Sequence, residues 1–234
     1  MKIIVLLKSA RTSPGSDETL EGLSPGDRAA LGTAIALATE QDETIAITAG
    51  PVNGEGALGE ALAEGIGRAI RITDPLIRDA DQRTLATVLA GGLRKVGFDL
   101  ILTGQRSADW ASGGTAPAVA HLLHLPHVTS VVRVEKADAD LLVSHRRERC
   151  DIDLLVKPPA VLALLAGPRL ERGRAENTDA PDRCAIEQLS LAEMTLPFRK
   201  PLVATGREVL LVGYPRAAML EDVESLATLL EPRR

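Results

Sequence analysis

The densest concentration of chemically capable residues is Gly104-Gln105-Arg106-Ser107-Ala108-Asp109-Trp110-Ala111-Ser112-Gly113-Gly114-Thr115. A buried strand pattern precedes it and a helical pattern follows. Gly113-Gly114-Thr115 puts small residues where unpaired backbone N–H groups open a helix, an arrangement that accepts an anion. Arg106 could add a charge-assisted bond to a phosphate, and Asp109 could accept from ribose hydroxyls. A plainer reading fits the same residues, with Ser112 an N-cap, Gly113-Gly114 a turn and Asp109 a first-turn charge. A second candidate, Ser24-Pro25-Gly26-Asp27, starts another helix, where Asp27 is either a ribose contact or a capping residue. Ala49-Gly50-Pro51 ends a strand and either lets a base approach the backbone or makes a tight turn. Lys8, ending the first strand, either reaches a phosphate or is a solvated strand end.

No catalytic constellation accompanies these loops. His121, His124 and His127 fall near a helix end, and His145 opens a basic run, His145-Arg146-Arg147-Glu148-Arg149. There is no Ser/His/Asp set, no paired-carboxylate pattern and no P-loop. Cys150 and Cys184 are far apart and show no metal-ligand spacing, which fits a reducing compartment.

The elements that position these loops alternate. Ile3–Leu7, Thr44–Ala49, Ala69–Ile72 and Leu100–Thr103 read as short strands. Helical patterns lie between them at about 28–40, 57–64 and 81–96, and a fourth runs to about Leu123. This rhythm predicts an α/β fold whose parallel core sheet carries helices on both faces. Ligands in such sheets bind at the carboxyl ends of strands, where the strand order reverses, which singles out the loops after Leu7, Ala49 and Thr103. From Val128 the rhythm changes. Val128–Val134, Leu141–His145 and Ile152–Val156 read as an antiparallel extension, and Val161–Leu165 as a further strand of the same sheet. Residues 166–183 read as a loop or arm. The rest holds one strand-like run, Val209–Val212, and one helix, Glu221–Leu230, too thin for a core of its own.

Bulk properties narrow the function. The net charge of -5 and pI near 5.5 disfavour a nucleic-acid partner, and an aromatic content of 2% leaves no base-stacking platform. The opening apolar run, Ile3–Leu7, is too short for a membrane span or a signal-peptide core.

Taken in order, the segments resemble the beta subunit of electron transfer flavoproteins, including the nitrogen-fixation-linked homologues. The resemblance is carried by Lys2-Ile3-Ile4-Val5-Leu6-Leu7-Lys8, by Ser24-Pro25-Gly26-Asp27 before an Ala-rich helix, and by Ile47-Thr48-Ala49-Gly50-Pro51 followed by Ala57–Gly65. Phe98–Gly104 with Ser107, Asp109 and Thr115, and then Pro159-Ala160-Val161-Leu162, complete it. It covers about residues 1–170. The resemblance implies a fold like that of the adenine-nucleotide hydrolase group. It also implies a partner alpha subunit that holds FAD, a flavin-dependent dehydrogenase as electron donor and a quinone-linked oxidoreductase as acceptor. The chain itself would be a cytoplasmic electron carrier, not an enzyme, with no insertion into a membrane. AMP would fill its own nucleotide site as a structural element, a second FAD being the less expected occupant. The lining positions carried over are Leu6, Ser24, Pro25, Gly26, Asp27, Ala49, Gly104, Gln105, Arg106, Ser107, Asp109, Ser112, Gly113, Gly114 and Thr115. The domain expectation is a nucleotide-binding domain over 1–185 and a C-terminal arm and helix over 186–234, packed on the partner. The chain departs from the family pattern at Ser24, Trp110 and Ala111, and in the charged arm after Pro168. A stand-alone adenine-nucleotide-binding regulatory module is the competing reading; the added arm and tail favour the partner-bound subunit.

Overall fold

The computed structural model describes residues 1–8, 23–51, 55–77, 80–106, 112–148, 150–166 and 186–194. Four strands and four helices alternate first: β1 (Lys2–Leu6), α1 (Pro25–Leu37), β2 (Glu43–Ala49), α2 (Glu55–Ala63), β3 (Arg68–Ile72), α3 (Gln82–Val96), β4 (Leu100–Gly104) and α4 (Thr115–Leu123). Then come β5 (His127–Ala137), β6 (Asp140–Arg147), β7 (Cys150–Val156), β8 (Ala160–Leu164) and β9 (Ile186–Leu189). All nine strands form one sheet in the order β7-β6-β5-β8-β4-β1-β2-β3-β9. Pairing is parallel from β5 through β8, β4, β1, β2 and β3 to β9, and antiparallel between β5, β6 and β7.

Period-two alternation distributes the strand side chains between two apolar layers. Ile3 and Val5 face one layer with Ala30, Leu31 and Ala34 of α1 and Leu58 of α2. Ile4 and Leu6 face the other with Val88, Leu89 and Leu93 of α3 and Val119 and Ala120 of α4. Strands buried on both faces read as continuous apolar runs, as Ile3–Leu7 does. The core is aliphatic throughout, with Ile3, Ile4, Leu31, Ile45, Leu58 and Ile101 fully buried.

The chain steps from β1 to β2 to β3 in one direction, then returns to set β4 on the other side of β1. The order therefore reverses between β1 and β4, and the crevice that positions the site lies at their carboxyl ends. The expected alternation and the antiparallel extension are both present, with two topological additions. β8 inserts between β5 and β4, separating the antiparallel strands from the parallel core, and β9 closes the far edge beside β3. The boundary expected at residue 186 falls at the start of β9, which joins this sheet. One compact unit runs from Met1 to Pro201 and a second from Leu202 to Arg234. The second unit, and with it the expected strand 209–212 and helix 221–230, lies outside the described residues, as does the arm over 167–183. No helix among the described residues is long and apolar enough to cross a membrane.

Candidate nucleotide site at the strand-order reversal

The first turn of α1 lies directly against the end of β4. Ser24 is the N-cap, with Pro25 in the first turn, where its fixed φ and missing N–H cost nothing. Ser24 Oγ accepts from Asp27 N–H (3.1 Å) and donates to Asp27 Oδ2 (2.8 Å). The backbone amides of Gly104, Lys8 and Ser24 also approach the Asp27 carboxylate and favour its charged form. The side chain is only 4% exposed, so its polar partners are groups of the protein itself. The sequence left Asp27 open between ribose contact and cap; the geometry makes it a keystone joining α1 to the ends of β1 and β4.

Backbone packing here leaves no room for a side chain at Gly104 and little at Gly26. A Cβ on Gly104 would lie 2.7 Å from Asp27 Oδ1 and 2.8 Å from both Asp27 N and the Gly26 carbonyl carbon. A Cβ on Gly26 would lie 3.2 Å from Gly104 Cα.

Burial pushes the Asp27 carboxyl up to about 6, against the lowering effect of its hydrogen bonds from Ser24, Gly104 and Lys8. The sign for stability follows. A carboxyl whose pKa is higher folded than unfolded binds its proton more tightly in the native state. Its contribution is therefore greatest below about pH 4 and is lost as pH rises through about 6. The opposite sign holds for Asp42, which Lys136, the N-terminal amine and Thr39 hold well below the usual carboxylate range. Asp27→Asn isolates the first effect. Subtracting its unfolding free energy from that of the wild type should give a difference that falls by roughly 2.4 kcal/mol between pH 4 and pH 7. Urea titrations at several pH values measure it, and a pH-independent difference would contradict the buried, titrating carboxylate.

Beyond Gly104 the chain turns across the sheet. Gln105 N–H donates to Leu164 O (2.8 Å), and Gln105 Oε1 accepts from Ser130 N–H (2.7 Å) at a left-handed residue inside β5. Gln105 is thus engaged in joining β4 to β5 and β8. Arg106 is exposed. Ser107 and Asp109, with Trp110 and Ala111, lie outside the described residues. Ser112 is exposed and is not the N-cap of α4. That position is Gly114, which makes no side-chain capping bond, and Gly113 precedes it at φ 65°, where glycine is favoured.

The cap comes from another helix. Turned so that its amide oxygen faces α4, Gln82 at the start of α3 accepts from Gly114 N–H (3.3 Å) and Thr115 N–H (3.2 Å). Sequence reasoning missed Gln82; nothing in an exposed glutamine signals a contact with the next helix. A Cβ on Gly114 would fall 1.9 Å from Gln82 Nε2, so a bulky residue there displaces a flexible amide before it obstructs anything else.

On the other side of β1, Leu6 ends that strand opposite Ile47 and Thr103, and Ala49 ends β2 beside Ile72 of β3. Gly50 N–H donates to Ile72 O (3.0 Å), and open space lies beside its Cα. Below this turn sits Arg71, a cation only 5% exposed. Its Nε lies 2.8 Å from Glu55 Oε1, yet without the alignment of a hydrogen bond, so the contact is a charge pair and the Nε–H stays unsatisfied. Its Nη1 donates to Gly50 O at 3.5 Å, the outer limit of such a bond. Arg71 was also not anticipated.

The described lining residues thus gather at the carboxyl ends of β1, β2 and β4. Ser24–Asp27, Gly104 and Gln105 are in direct contact, Gly113 is against Gln105, and Leu6 and Ala49 stand at neighbouring strand ends. Among the described residues no cluster of His, Cys, Asp or Glu could hold a metal ion. His145 Nδ1 lies 2.7 Å from Thr129 O, a local strand contact. Two features bear on whether a nucleotide could be held here. The α4 amides already receive an oxygen acceptor from Gln82, which a phosphate oxygen could replace, and the Gly50 turn leaves space beside the backbone.

Comparison with known proteins agrees with the architecture. The family model described as "Electron transfer flavoprotein domain" matches residues 17–193. The chain is similar to the electron transfer flavoprotein subunit beta of Clostridium acetobutylicum, 30% identical over 145 residues that make up 61% of this chain and 56% of that protein. It is similar to the subunit of the same name from Bacillus subtilis, 28% identical over 227 residues, 89% of this chain and 85% of that one. Protein FixA of Rhizobium meliloti is 28% identical over 181 residues, 73% of this chain and 62% of that protein. The matches to the Clostridium and Rhizobium proteins span less than two thirds of those relatives' length. With the family model covering well over half of its residues, on a sheet whose strand-order reversal carries the motif loops, this chain belongs to the electron transfer flavoprotein domain family.

Proposed function

We propose that the chain is the beta-type half of an electron-carrying heterodimer. It pairs with an alpha-type subunit that holds FAD, takes electrons from a flavin-dependent dehydrogenase, and passes them to a quinone-linked acceptor in the cytoplasm. It performs no bond chemistry itself. One observation carries the reading: the loops that match the family motifs are the loops at the strand-order reversal, where α/β sheets bind ligands. FAD on the partner supplies the redox chemistry. This chain's residues bind and orient. AMP is the proposed occupant of the strand-end site, with its phosphate toward Arg106 and the α4 amides, in place of Gln82. The base would lie by the Ala49-Gly50 turn, and Leu6, Ser24–Asp27 and Gly104–Gln105 would form the floor. Ser107, Asp109 and Ser112–Thr115 belong to the same proposed lining.

The test is the small-molecule content of the purified heterodimer. Denaturation and chromatography should release one FAD and one AMP per complex. Release of FAD without any adenine mononucleotide would refute the AMP site, and two FAD would reassign its occupant. Absence of flavin would refute the carrier role.

A further inference from the structure

α4 begins without a cap of its own. Its N-cap is Gly114, which has no side chain to offer. The acceptor comes instead from Gln82, the first residue of α3, whose amide oxygen takes the N–H groups of Gly114 (3.3 Å) and Thr115 (3.2 Å). α3 gives that side chain a fixed base. Asp81 caps α3, its carboxylate accepting from Thr84 N–H (2.7 Å), and Leu89 and Leu93 of α3 share one apolar layer with Val119 and Ala120 of α4. The backbone under Gln82 is therefore held, while its side chain is exposed.

This combination makes the cap replaceable. Both bonds are at or beyond the long end of the range for N–H···O. They join neutral groups, and a charged acceptor such as a phosphate oxygen makes a bond roughly twice as strong. An exposed amide that swings outward is solvated again and regains rotamer freedom, so its release leaves no buried polar group unpaired. The α4 amides, by contrast, have no partner within their own helix and take whichever acceptor is offered. Gly114 belongs to the same arrangement. A Cβ there would fall 1.9 Å from the Gln82 amide, so glycine keeps the face above the two N–H groups clear.

We infer that Gln82 is a specificity-determining residue of the strand-end site, a neutral side-chain occupant of the phosphate position that a ligand must displace. It lowers the affinity for a phosphate-bearing adenine nucleotide and leaves that for the bare nucleoside unchanged. The site therefore separates AMP from adenosine less sharply than the α4 amides and Arg106 would without Gln82. The inference rests on the reading of the site as one for AMP.

Equilibrium dialysis of the purified heterodimer, cleared of adenine nucleotide on charcoal, with labelled AMP and labelled adenosine tests it. Gln82→Ala should bind AMP about fivefold tighter than the wild type, the worth of a typical helix cap, and adenosine within about twofold of it. Gln82→Glu puts a charge where the phosphate goes. It should bind AMP at least about tenfold weaker at low salt, with the loss shrinking as salt rises. Without AMP, the Gly114 and Thr115 amides should exchange faster in Gln82→Ala than in the wild type, and with AMP the two should match. Equal AMP affinity in wild type and Gln82→Ala, or an equal gain for AMP and adenosine, overturns this inference and leaves the AMP site standing. Weaker AMP binding by Gln82→Ala also overturns it, making Gln82 a ligand contact. A wild-type heterodimer that takes up no AMP overturns the reading of the site as well.

Discussion

Gly104→Ala should cost about 3 kcal/mol of stability, because overpacking at a site with no slack forces backbone movement. The added methyl would meet Asp27 Oδ1 at 2.7 Å, and Asp27 N and the Gly26 carbonyl carbon at 2.8 Å. Two of those three atoms are backbone, so no rotamer change relieves the contact. Relief requires α1 to move off the end of β4, which separates the Asp27 carboxylate from the amides of Gly104 and Lys8. Gly26→Ala, whose methyl would meet Gly104 Cα at 3.2 Å, should be milder, at about 1 kcal/mol. Urea midpoints at unchanged m-value measure both. A Gly104→Ala chain as stable as the wild type would show that α1 does not bear on the strand end as described.

The second large effect belongs to Arg71. Removing one member of a buried ion pair costs about 3–5 kcal/mol, because the remaining charge stays desolvated. Arg71→Ala leaves Glu55, 16% exposed, without its cation and opens space beneath the Gly50 turn. A loss of about 3 kcal/mol is expected, at the lower end because Glu55 retains some solvent. Arg71→Met combined with Glu55→Gln removes both charges at similar volume and should recover most of it. If the double variant is as unstable as Arg71→Ala, the cost lies in packing and not in the unpaired charge. Arg71 is the described buried side chain with an unsatisfied donor, and such a group beside a proposed ligand site is a place where binding can return stability.

Much of this arrangement was legible in the sequence. Continuous apolar runs marked β1, β2 and β4. Ser24-Pro25 announced the start of α1, where the helix begins three residues before the position its apolar pattern suggested. The rule that ligands collect where strand order reverses located the loops after β1, β2 and β4. What stayed hidden is contact at a distance in sequence. Nothing in the local pattern places β8 between β4 and β5, since each short strand is equally able to pair with its neighbour in the chain. β9 pairs with β3 across more than a hundred residues, and its four residues, Ile186-Glu187-Gln188-Leu189, show no period-two alternation. Gln82 and Arg71 lie within a helical and a strand pattern that carry no sign of their contacts. Their roles come from α4 starting beside α3 and from Gly50 and Glu55 lying against Arg71 of β3.

The most direct test of the beta-subunit reading is co-expression with an alpha-type subunit from the same genome, followed by size-exclusion chromatography with visible detection. The predicted result is a 1:1 heterodimer carrying a flavin spectrum that bleaches on reduction and returns on exposure to an oxidant. A well-folded chain that elutes alone and leaves the alpha-type subunit to form its flavin complex without it would contradict the account.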